Sequence, residues 1–388
     1  MLVFTMAGCG QGSEGQTDPG ESGVQLEPHT IAVLVYDRSD DEVQAFRNYL
    51  QDYLGSIFNV KFIYSESVLT EDAALEFIDE ACEYGAEGVM SFVSYDLKSE
   101  VSECEKKGIY YMLASGTVSD EDFDKVKESE AFLGVVGPGK DTEYEAGADM
   151  AAHFIKDDGT KAFFIFSGGG CMGNEMHLKR TEGILDKIQQ EYGVTFSMSS
   201  EEAAVSSEPV ELSAGDVSVC VCPGYFSIEE YLESAIETYK DHPYGTVLSV
   251  LPVNKLLDTI KGGRLGLIDC YSETNLQLFT DGTLEYVSGK YSSIVGPSFA
   301  AMYNAITGYR DELRMDGEPF RITQGFWNSD SEKDYNDKYV LASSIEINAY
   351  NYEDLQKVMK VFNEDTTIEE LKALAEACSY EDALNRRF

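Results

Sequence analysis

A chain of 388 residues is longer than one hydrophobic core usually serves, and its 43% apolar content is enough to fill two domains. The 29 basic and 70 acidic side chains give a net charge of −41, which argues against nucleic acid and anionic lipid as partners, because both bind through Lys and Arg at phosphates. We interpret the carboxylates as a solvated surface that keeps an exported protein soluble. No apolar run approaches the roughly 20 residues of a membrane-spanning helix.

The first residues, MLVFTMAGCG, are typical of the end of an apolar signal segment that runs into small residues and then Cys9. This pattern resembles the lipobox of bacterial lipoproteins, which implies that Cys9 is acylated and becomes the mature N-terminus. Residues 1–8 are then a signal-peptide remnant, and residues 9–29 are the lipidated cysteine with a flexible tether rich in Gly, Ser, Glu and Pro. The alternative is that Cys9 is a buried free thiol near an irregular N-terminal segment.

The other cysteines are odd in number and their spacings are not those of a zinc site: Cys82, Cys104, Cys171, Cys220, Cys222, Cys270 and Cys378. We expect them to be buried core residues, since cysteine is often buried without a partner. The sequence predicts neither a metal site nor a cofactor.

From residue 31 onward, short β-rich runs alternate with amphipathic helical stretches, which is the pattern of a parallel sheet covered by helices. The predicted strands of the first series are 30–36, 60–64, 88–93, 109–113 and 132–136. The predicted helices between them are 41–54, 71–84, 97–107 and 120–128. This series is long enough to form one complete domain.

The same alternation of strands and helices then repeats and predicts a second domain of similar architecture. Its predicted helices are 141–155, 174–192, 228–239 and 254–261, and its predicted strands are 162–166, 194–198, 217–222, 246–251 and 265–269. A helical stretch at 296–313 and a strand around 320–327 are too few for a third domain, so we expect them to complete the two sheets.

These elements predict two lobes and a tail. Lobe 1 is expected to comprise residues 30–137 and 271–313, and lobe 2 residues 138–270 and 314–349. Residues 350–388 are expected to form a helical appendage with a capped helix that begins near Thr366 or Thr367. A chain that crosses repeatedly between two lobes makes a hinge and a cleft that can close.

Three stretches carry a resemblance to a known family. Residues 141–155, DTEYEAGADMAAHFI, are similar to its helix at the first hinge crossing, with Gly147 and Ala151 where helix meets sheet. Residues 167–183, SGGGCMGNEMHLKRTEG, are similar to its strand, glycine turn and helix, and residues 265–282, LGLIDCYSETNLQLFTDG, to its return strand. The family is the type I periplasmic binding proteins, such as the ribose- and galactose-binding proteins. The resemblance implies two doubly wound, flavodoxin-like α/β lobes joined by a multi-strand hinge.

Candidate ligand-binding residues follow from the resemblance and from position. The resemblance implies that Arg180 is the family's ligand arginine and Asp269 its aspartate; the alternatives are a surface helix arginine and a hydrogen bond that stabilises the hinge. Loops at the carboxyl ends of parallel strands are where ligand groups converge. By position these loops add Asp37, Arg38, Ser94, Tyr95, Ser115 and Tyr271, with Tyr291 on a hinge strand. We expect the single tryptophan, Trp327, to be a packing residue.

The resemblance implies an extracellular solute-binding lipoprotein that captures a small polar molecule, such as a sugar, and delivers it to the permease of an ABC transporter. A ligand-sensing lipoprotein that reports to a membrane receptor needs the same closure, so it stays an alternative. An adhesive surface lipoprotein is a third, because Ala114, Ser115 and Gly116 stand where the family often has an Asp-Arg pair.

The enzyme alternative is a nicotinamide-dependent dehydrogenase. Gly168, Gly170 and Gly173 form G-x-G-x-x-G between a strand and a helix, with Glu201 and Glu202 beyond the next strand. That acidic pair lies about ten residues later than is usual, and such an enzyme would be cytoplasmic whereas this chain has the features of an exported one. His177 shares the following helix with Arg180 and is expected on its solvated face. We therefore do not expect an enzyme.

Overall fold

Two β-sheets, each built mainly of parallel strands between helices, form the two lobes of the chain in a computed structural model that describes residues 26–241 and 245–388. The strands are β1 (His29–Leu34), β2 (Val60–Tyr64), β3 (Gly88–Ser91), β4 (Tyr110–Ala114), β5 (Phe132–Gly137), β6 (Ala162–Gly168), β7 (Val210–Ala214), β8 (Val217–Pro223), β9 (Thr246–Ser249), β10 (Arg264–Cys270), β11 (Leu284–Lys290), β12 (Phe320–Thr323) and β13 (Trp327–Ser329). Cys9 and the tether up to residue 25 lie outside the described residues.

Most of the connections between strands contain helices, and the last four helices follow one another after β13. The helices are α1 (Asp41–Arg47, continued by a π-helical stretch to Leu54 and by α2, Gly55–Ile57), α3 (Glu71–Glu83), α4 (Leu97–Lys107), α5 (Asp120–Val126), α6 (Lys140–Asp158), α7 (Glu175–Tyr192), α8 (Ser200–Ala204), α9 (Glu229–Asp241), α10 (Glu273–Thr280), α11 (Gly296–Asn304), α12 (Glu332–Ser343), α13 (Tyr352–Lys357), α14 (Ile368–Glu376) and α15 (Tyr380–Arg387). Short 3-10 or π turns cover 169–172, 254–256, 292–295 and 305–313. None of the helices in the described part of the chain is long and apolar enough to cross a membrane.

The strand order of the first sheet is β12-β5-β4-β3-β1-β2, and all of its pairs are parallel. The order of the second sheet is β13-β11-β10-β9-β6-β8-β7, with antiparallel pairs at its two edges. Both faces of the first sheet are buried: Ile31 and Val33 enter one hydrophobic cluster, and Ala32 and Leu34 enter the other. This pattern of burial is what a sheet with helices on both faces requires, and the predicted two-lobed α/β fold is confirmed.

The strands divide between the lobes differently from the expectation in two places. β11 belongs to the second sheet and β12 to the first, whereas residues 271–313 were expected in lobe 1 and 314–349 in lobe 2. The chain crosses between the sheets at residues 138–139, at residue 291 and at residues 324–326, so it leaves lobe 2 about twenty residues later than predicted. We call these three segments the hinge crossings. Periodicity alone does not mark where such crossings fall.

Three predicted elements differ in type or length. Residues 194–198 form no strand, because they complete the end of α7: Val194 N donates to the Gln189 carbonyl and Phe196 N donates to Gln189 Oε1 at 2.9 Å. The predicted helix at 254–261 is only a 3-10 turn at 254–256. The predicted helix at 296–313 stays regular to Asn304 and then tightens into turns that contain Gly308 at φ 98°.

Helices α6 and α7 cross with their backbones in contact. A Cβ atom at Gly147 would lie 2.0 Å from the Arg180 carbonyl oxygen, and one at Gly183 would lie 2.0 Å from the Tyr144 carbonyl oxygen. Gly147 therefore meets a helix, not the sheet as expected from the sequence, while Ala151 is fully buried. The close crossing fixes α7 and its side chains against the first hinge crossing.

We predict that Gly147→Ala destabilises the protein by about 1 to 3 kcal/mol, because the added methyl group overpacks a backbone contact. In an ordinary helix interior the same change would stabilise by about 0.5 to 1 kcal/mol. Urea denaturation measures the difference. Glu145→Ala, on the exposed side of the same helix, is the control and should stay within about 0.5 kcal/mol of wild type. A stabilised Gly147→Ala variant would contradict the close crossing.

Candidate functional site

The candidate site is the cleft between the lobes, where loops at the carboxyl ends of strands from both sheets face each other. Lobe 1 presents the loop after β1, which contains Asp40, and lobe 2 presents Asp269 near the end of β10. The Lys290 ammonium of lobe 2 donates to Glu42 Oε1 of lobe 1 at 3.2 Å, and helix α1 is in contact with β10. We call this arrangement, in which the two lobes touch beside the hinge crossings, the closed arrangement.

The centre of the cleft is an acidic cluster, which we define as Asp40, Asp41, Glu42 and Asp269. Asp40 caps α1 by accepting from Glu42 N at 2.9 Å, and it also accepts from Tyr36 Oη at 2.9 Å. Asp269 is 8% exposed and accepts from Asn275 Nδ2 at 2.8 Å. The cluster thus holds its carboxylates in fixed orientations.

Lys290, at the end of β11, supplies a positive charge next to this cluster. It is 4% exposed, and its Nζ donates to Glu42 Oε1 at 3.2 Å and to the Ser115 carbonyl at 2.9 Å. Lys290 therefore joins the second hinge crossing to helix α1 and to the loop after β4, both in lobe 1. One ammonium among four carboxylates leaves the centre of the cleft with an excess of acidic groups.

The surroundings raise the pKa of two carboxyls in the acidic cluster. Burial, followed by the nearby charges of Asp269 and Glu42, raises the pKa of Asp40 to about 8. Burial, followed by the charges of Glu42 and Asp41, raises the pKa of Asp269 to about 6, although the Asn275 amide opposes this shift. Near neutral pH Asp40 is mainly protonated and can donate a hydrogen bond, whereas Asp269 is mainly ionised and accepts.

Arg180 lies in a buried ion pair beside the hinge. Its Nε donates to Glu143 Oε2 at 2.5 Å, its Nη1 donates to the Val250 carbonyl at 2.8 Å, and the Phe326 ring lies 5.5 Å from its guanidinium carbon. Arg180 is 5% exposed, so it is not a surface helix residue. Thr117 of lobe 1 also lies 3.2 Å from Glu143 Oε1, which extends this network across the first hinge crossing.

The glycine turn after β6 is filled by the protein's own side chains. His177 Nδ1 accepts from Gly169 N at 2.9 Å, and a Cβ atom at Gly169 would lie 2.4 Å from the Tyr225 ring. The amide that would receive a phosphate in a dinucleotide fingerprint is therefore already occupied. His177 is buried, not solvated as expected, and burial lowers its pKa well below the usual value.

The predicted residues Asp37, Arg38 and Tyr95 bond within lobe 1. Asp37 Oδ1 accepts from Ser39 N at 2.9 Å, and Arg38 pairs with the exposed Glu66. Tyr95 Oη donates to the Val68 carbonyl at 2.6 Å. All three follow strands of the first sheet, as predicted, but their polar atoms are held by the loops after β1 and β2.

Tyr271 and Tyr291 lie in the protein interior, not at the cleft surface that the sequence predicted. Tyr271 stacks on Tyr335 with 4.7 Å between centroids, and its Oη lies 2.8 Å from Ser329 Oγ. Tyr291 stacks on Trp327 at 4.0 Å. Trp327 is buried, and its predicted packing role is confirmed.

Several buried polar atoms near the strand ends and hinge crossings have no hydrogen-bond partner among residues 26–241 and 245–388. They include Ser115 Oγ, Asn275 Oδ1 and Ser292 Oγ. Buried polar groups are normally satisfied, so each of these atoms has unused hydrogen-bonding capacity. Ser115 also has a left-handed backbone at φ 57°, which marks a constrained position at the end of β4.

Sequence reasoning did not select Asp40, Glu42, Glu143 or Lys290 as site residues. The run SDDE directly after the first strand was a signal for the acidic cluster, since it follows the predicted Asp37 and Arg38 in the same loop. Glu143 and Lys290 stand in stretches expected at the hinge, but nothing in their spacing indicates a buried charge. Within the described ranges, no group of three or more His, Cys, Asp or Glu side chains is placed to hold a metal ion.

Comparison with solved structures identifies the fold. A galactofuranose binding protein is 11% identical, with a TM-score of 0.59 over 82% of this chain and 100% of its own length. A carbohydrate transporter from Acidothermus cellulolyticus 11B, in complex with myo-inositol, is 14% identical with a TM-score of 0.57 over 81% and 99% of the two chains. The substrate-binding protein of a sugar ABC transport system from Bordetella parapertussis 12822 is 13% identical with a TM-score of 0.56 over 83% and 95%. The chain therefore has the type I periplasmic-binding-protein fold that the sequence predicted.

No family model matches the chain, and no curated protein matches it in sequence. The similarity is thus one of structure, at identities of 11% to 14%.

We predict that the unfolding free energy falls by about 1 to 2 kcal/mol between pH 6.5 and 8. Asp40 binds a proton in the folded state up to pH about 8 but releases it near pH 4 when unfolded, so the folded state binds more protons in this window and loses stability as pH rises. His177, whose pKa is lowered, acts in the opposite direction, but its contribution fades as pH rises above its ordinary value of 6.5. An asparagine at position 40 can still accept the hydrogen bonds from Tyr36 Oη and Glu42 N. Asp40→Asn should therefore reduce the dependence of the unfolding free energy on pH.

Urea denaturation at pH 6.5, 7.2 and 8 measures this effect. Asp281→Asn, on the surface of lobe 2, is the control and should keep the wild-type slope. An Asp40→Asn variant that also keeps that slope would show that Asp40 is not the titrating group.

Proposed function

We propose that this protein captures a sugar or sugar-like molecule in the cleft and delivers it to the permease of an ABC transporter at the cell surface. The observation that carries the proposal is the set of unpartnered buried polar atoms beside a fixed acidic cluster, between two lobes joined by three hinge crossings. Proteins of the same fold include one named for galactofuranose binding and one in complex with myo-inositol. Those names support a polyhydroxylated ligand here.

The chemistry of the acidic cluster suits neighbouring hydroxyl groups. An ionised carboxylate such as Asp269 accepts hydrogen bonds on both oxygens, and a protonated one such as Asp40 donates as well as accepts. Ser115 Oγ and Asn275 Oδ1 add partners of both kinds, since a hydroxyl donates and an amide oxygen accepts. We assign Asp269, Asp40 and Ser115 to direct contact with the ligand, with Arg180 in the cleft wall and Asp37, Arg38 and Tyr95 at the rim.

The identity of the ligand can be tested without choosing a sugar beforehand. Native mass spectrometry of gently purified protein should detect a retained polyol or sugar, and calorimetry with that compound should then give its dissociation constant. Protein that retains no polyhydroxylated compound and binds none from a panel including myo-inositol and galactose would overturn the proposal.

We predict that Asp269→Asn weakens binding of the identified ligand by about ten- to a hundredfold. A hydrogen bond to a charged group contributes about 1.5 to 3 kcal/mol, and each 1.4 kcal/mol is a factor of ten. The amide keeps the shape of the side chain and can still accept from Asn275, so the fold should persist. Calorimetry compares it with Asp281→Asn, which should bind like wild type. Equal dissociation constants for all three proteins would remove Asp269 from the site.

The proposal includes attachment to the membrane through a lipid on Cys9, whose sequence context resembles that of an acylated cysteine. We predict that cells expressing the full-length gene incorporate an alkyne fatty acid into the protein and that Cys9→Ser abolishes this labelling. Cys82→Ser removes another partly exposed thiol and is the control, which should label like wild type. Equal labelling of Cys9→Ser and wild type would show that Cys9 is not the anchor.

A further inference from the structure

The C-terminal segment, residues 350–388, is not an appendage separate from the lobes. The chain leaves lobe 2 at the end of α12, packs on lobe 1 and then returns to α12. Its first part is held on lobe 1 by buried contacts: Tyr49 Oη donates to the Tyr350 carbonyl at 2.7 Å, and Asn304 Nδ2 donates to the Val358 carbonyl at 2.9 Å. Both Tyr49 and Asn304 are buried, so this attachment is shielded from water.

The middle of the segment binds two hinge crossings at once. The Cys378 carbonyl accepts from Tyr291 Oη at 3.1 Å and from Trp327 Nε1 at 2.8 Å. Cys378 Sγ also accepts from Gly325 N at 3.0 Å. Tyr291 forms the second crossing, Gly325 lies within the third and Trp327 directly follows it. Two of the three segments that connect the lobes are therefore tied to one residue of the tail.

The last part of the segment reaches lobe 2 through Tyr380. Its Oη donates to the Asp337 carbonyl on α12 at 2.9 Å, and its ring meets Trp327 edge-on with 5.1 Å between centroids. Lys338 Nζ, also on α12, lies 5.7 Å from the centre of the same ring. Unlike the contacts with lobe 1, these are made by a partly exposed side chain.

Beyond Tyr380 the segment folds back on itself. Arg386 lies over the Tyr350 ring at 4.4 Å and donates to the Ala349 carbonyl at 3.0 Å, and Arg387 pairs with Asp354. Helix α15 is thereby anchored to the part of the tail that is fixed on lobe 1. A rotation of lobe 2 away from lobe 1 would leave α15 with lobe 1 and separate Tyr380 from α12.

We propose that residues 350–388 form a strap that holds the two lobes in the closed arrangement, with Tyr380 as its releasable contact. A contact that exists in one of two conformations shifts the equilibrium toward that conformation by its own free energy. The buried contacts with lobe 1 and with the hinge crossings make the strap permanent there, and the partly exposed Tyr380 makes its contact with α12 reversible. The strap acts in the absence of ligand and does not depend on what the cleft binds.

Two native thiols allow this to be measured on the whole chain. Cys82 on α3 of lobe 1 and Cys171 in the glycine turn of lobe 2 are partly exposed, whereas the other cysteines of the described ranges are buried. Spin labels on these two residues, in a Cys9→Ser background, report the distance between the lobes by double electron–electron resonance. No ligand is added.

Tyr380→Ala should raise the ratio of open to closed molecules by about five- to thirtyfold, because it removes a hydrogen bond and two ring contacts. Tyr380→Phe removes only the hydroxyl and should raise the ratio by about two- to tenfold. The matched control is Tyr352→Phe, whose hydroxyl bonds only the adjacent Glu353 among the described contacts and should leave the distances unchanged.

If both Tyr380 variants give the wild-type distance distribution, the strap does not hold the lobes closed. The same conclusion follows if Tyr352→Phe opens the lobes as much as Tyr380→Phe. Thermal denaturation followed by circular dichroism checks that each variant is folded. Should Tyr380→Ala not fold, the comparison of the two phenylalanine variants decides the matter alone.

Discussion

The architecture depends on how Gln324 joins the hinge crossings. Its backbone N donates to the Gly137 carbonyl at 2.9 Å and so extends the pairing of β12 with β5 to the point where the chain leaves lobe 1. Its side-chain Nε2 donates to the Ile294 carbonyl at 3.0 Å, directly after the second crossing. One buried glutamine therefore fixes the three connecting segments relative to one another. The position of each lobe, the shape of the cleft and the site at which the tail attaches all follow from this arrangement.

Much of the fold could be predicted from the sequence because both sheets are buried on two faces. Strands such as β1 and β6 are continuous apolar runs between amphipathic helices, and that contrast is visible in a single sequence. The exchange of β11 and β12 between lobes was not predictable, because a strand carries no mark of the sheet it joins. The strand expected at 194–198 failed for a local reason, since Gln189 of the preceding helix binds its backbone.

The candidate site was predicted less well than the fold. Position at the carboxyl end of a strand selected Asp269 and Ser115, which belong to the site proposed above, but it also selected Tyr271, whose ring packs in the core. The position of a residue at the end of a strand predicts which loop it occupies. Packing and hydrogen bonding of the side chain decide where its polar atoms lie. Glu143 illustrates the limit: it is fully buried in a chain with a large excess of carboxylates, and its partner Arg180 is 37 residues away in sequence. Such a pair becomes evident only when the helices that carry it are packed together.

The backbone contact between α6 and α7 has a consequence for motion. Side chains between two helices can adjust their rotamers and allow the helices to slide, but backbones in contact at Gly147 and Gly183 have no such freedom. Helix α6 begins directly after the first hinge crossing, and α7 carries His177 and Arg180. A change of backbone torsion at Gly139 therefore turns both helices as one rigid body. The wall of the cleft that contains Arg180 and the glycine turn must therefore rotate by the full angle of the hinge. Sliding of α6 on α7 cannot reduce that rotation.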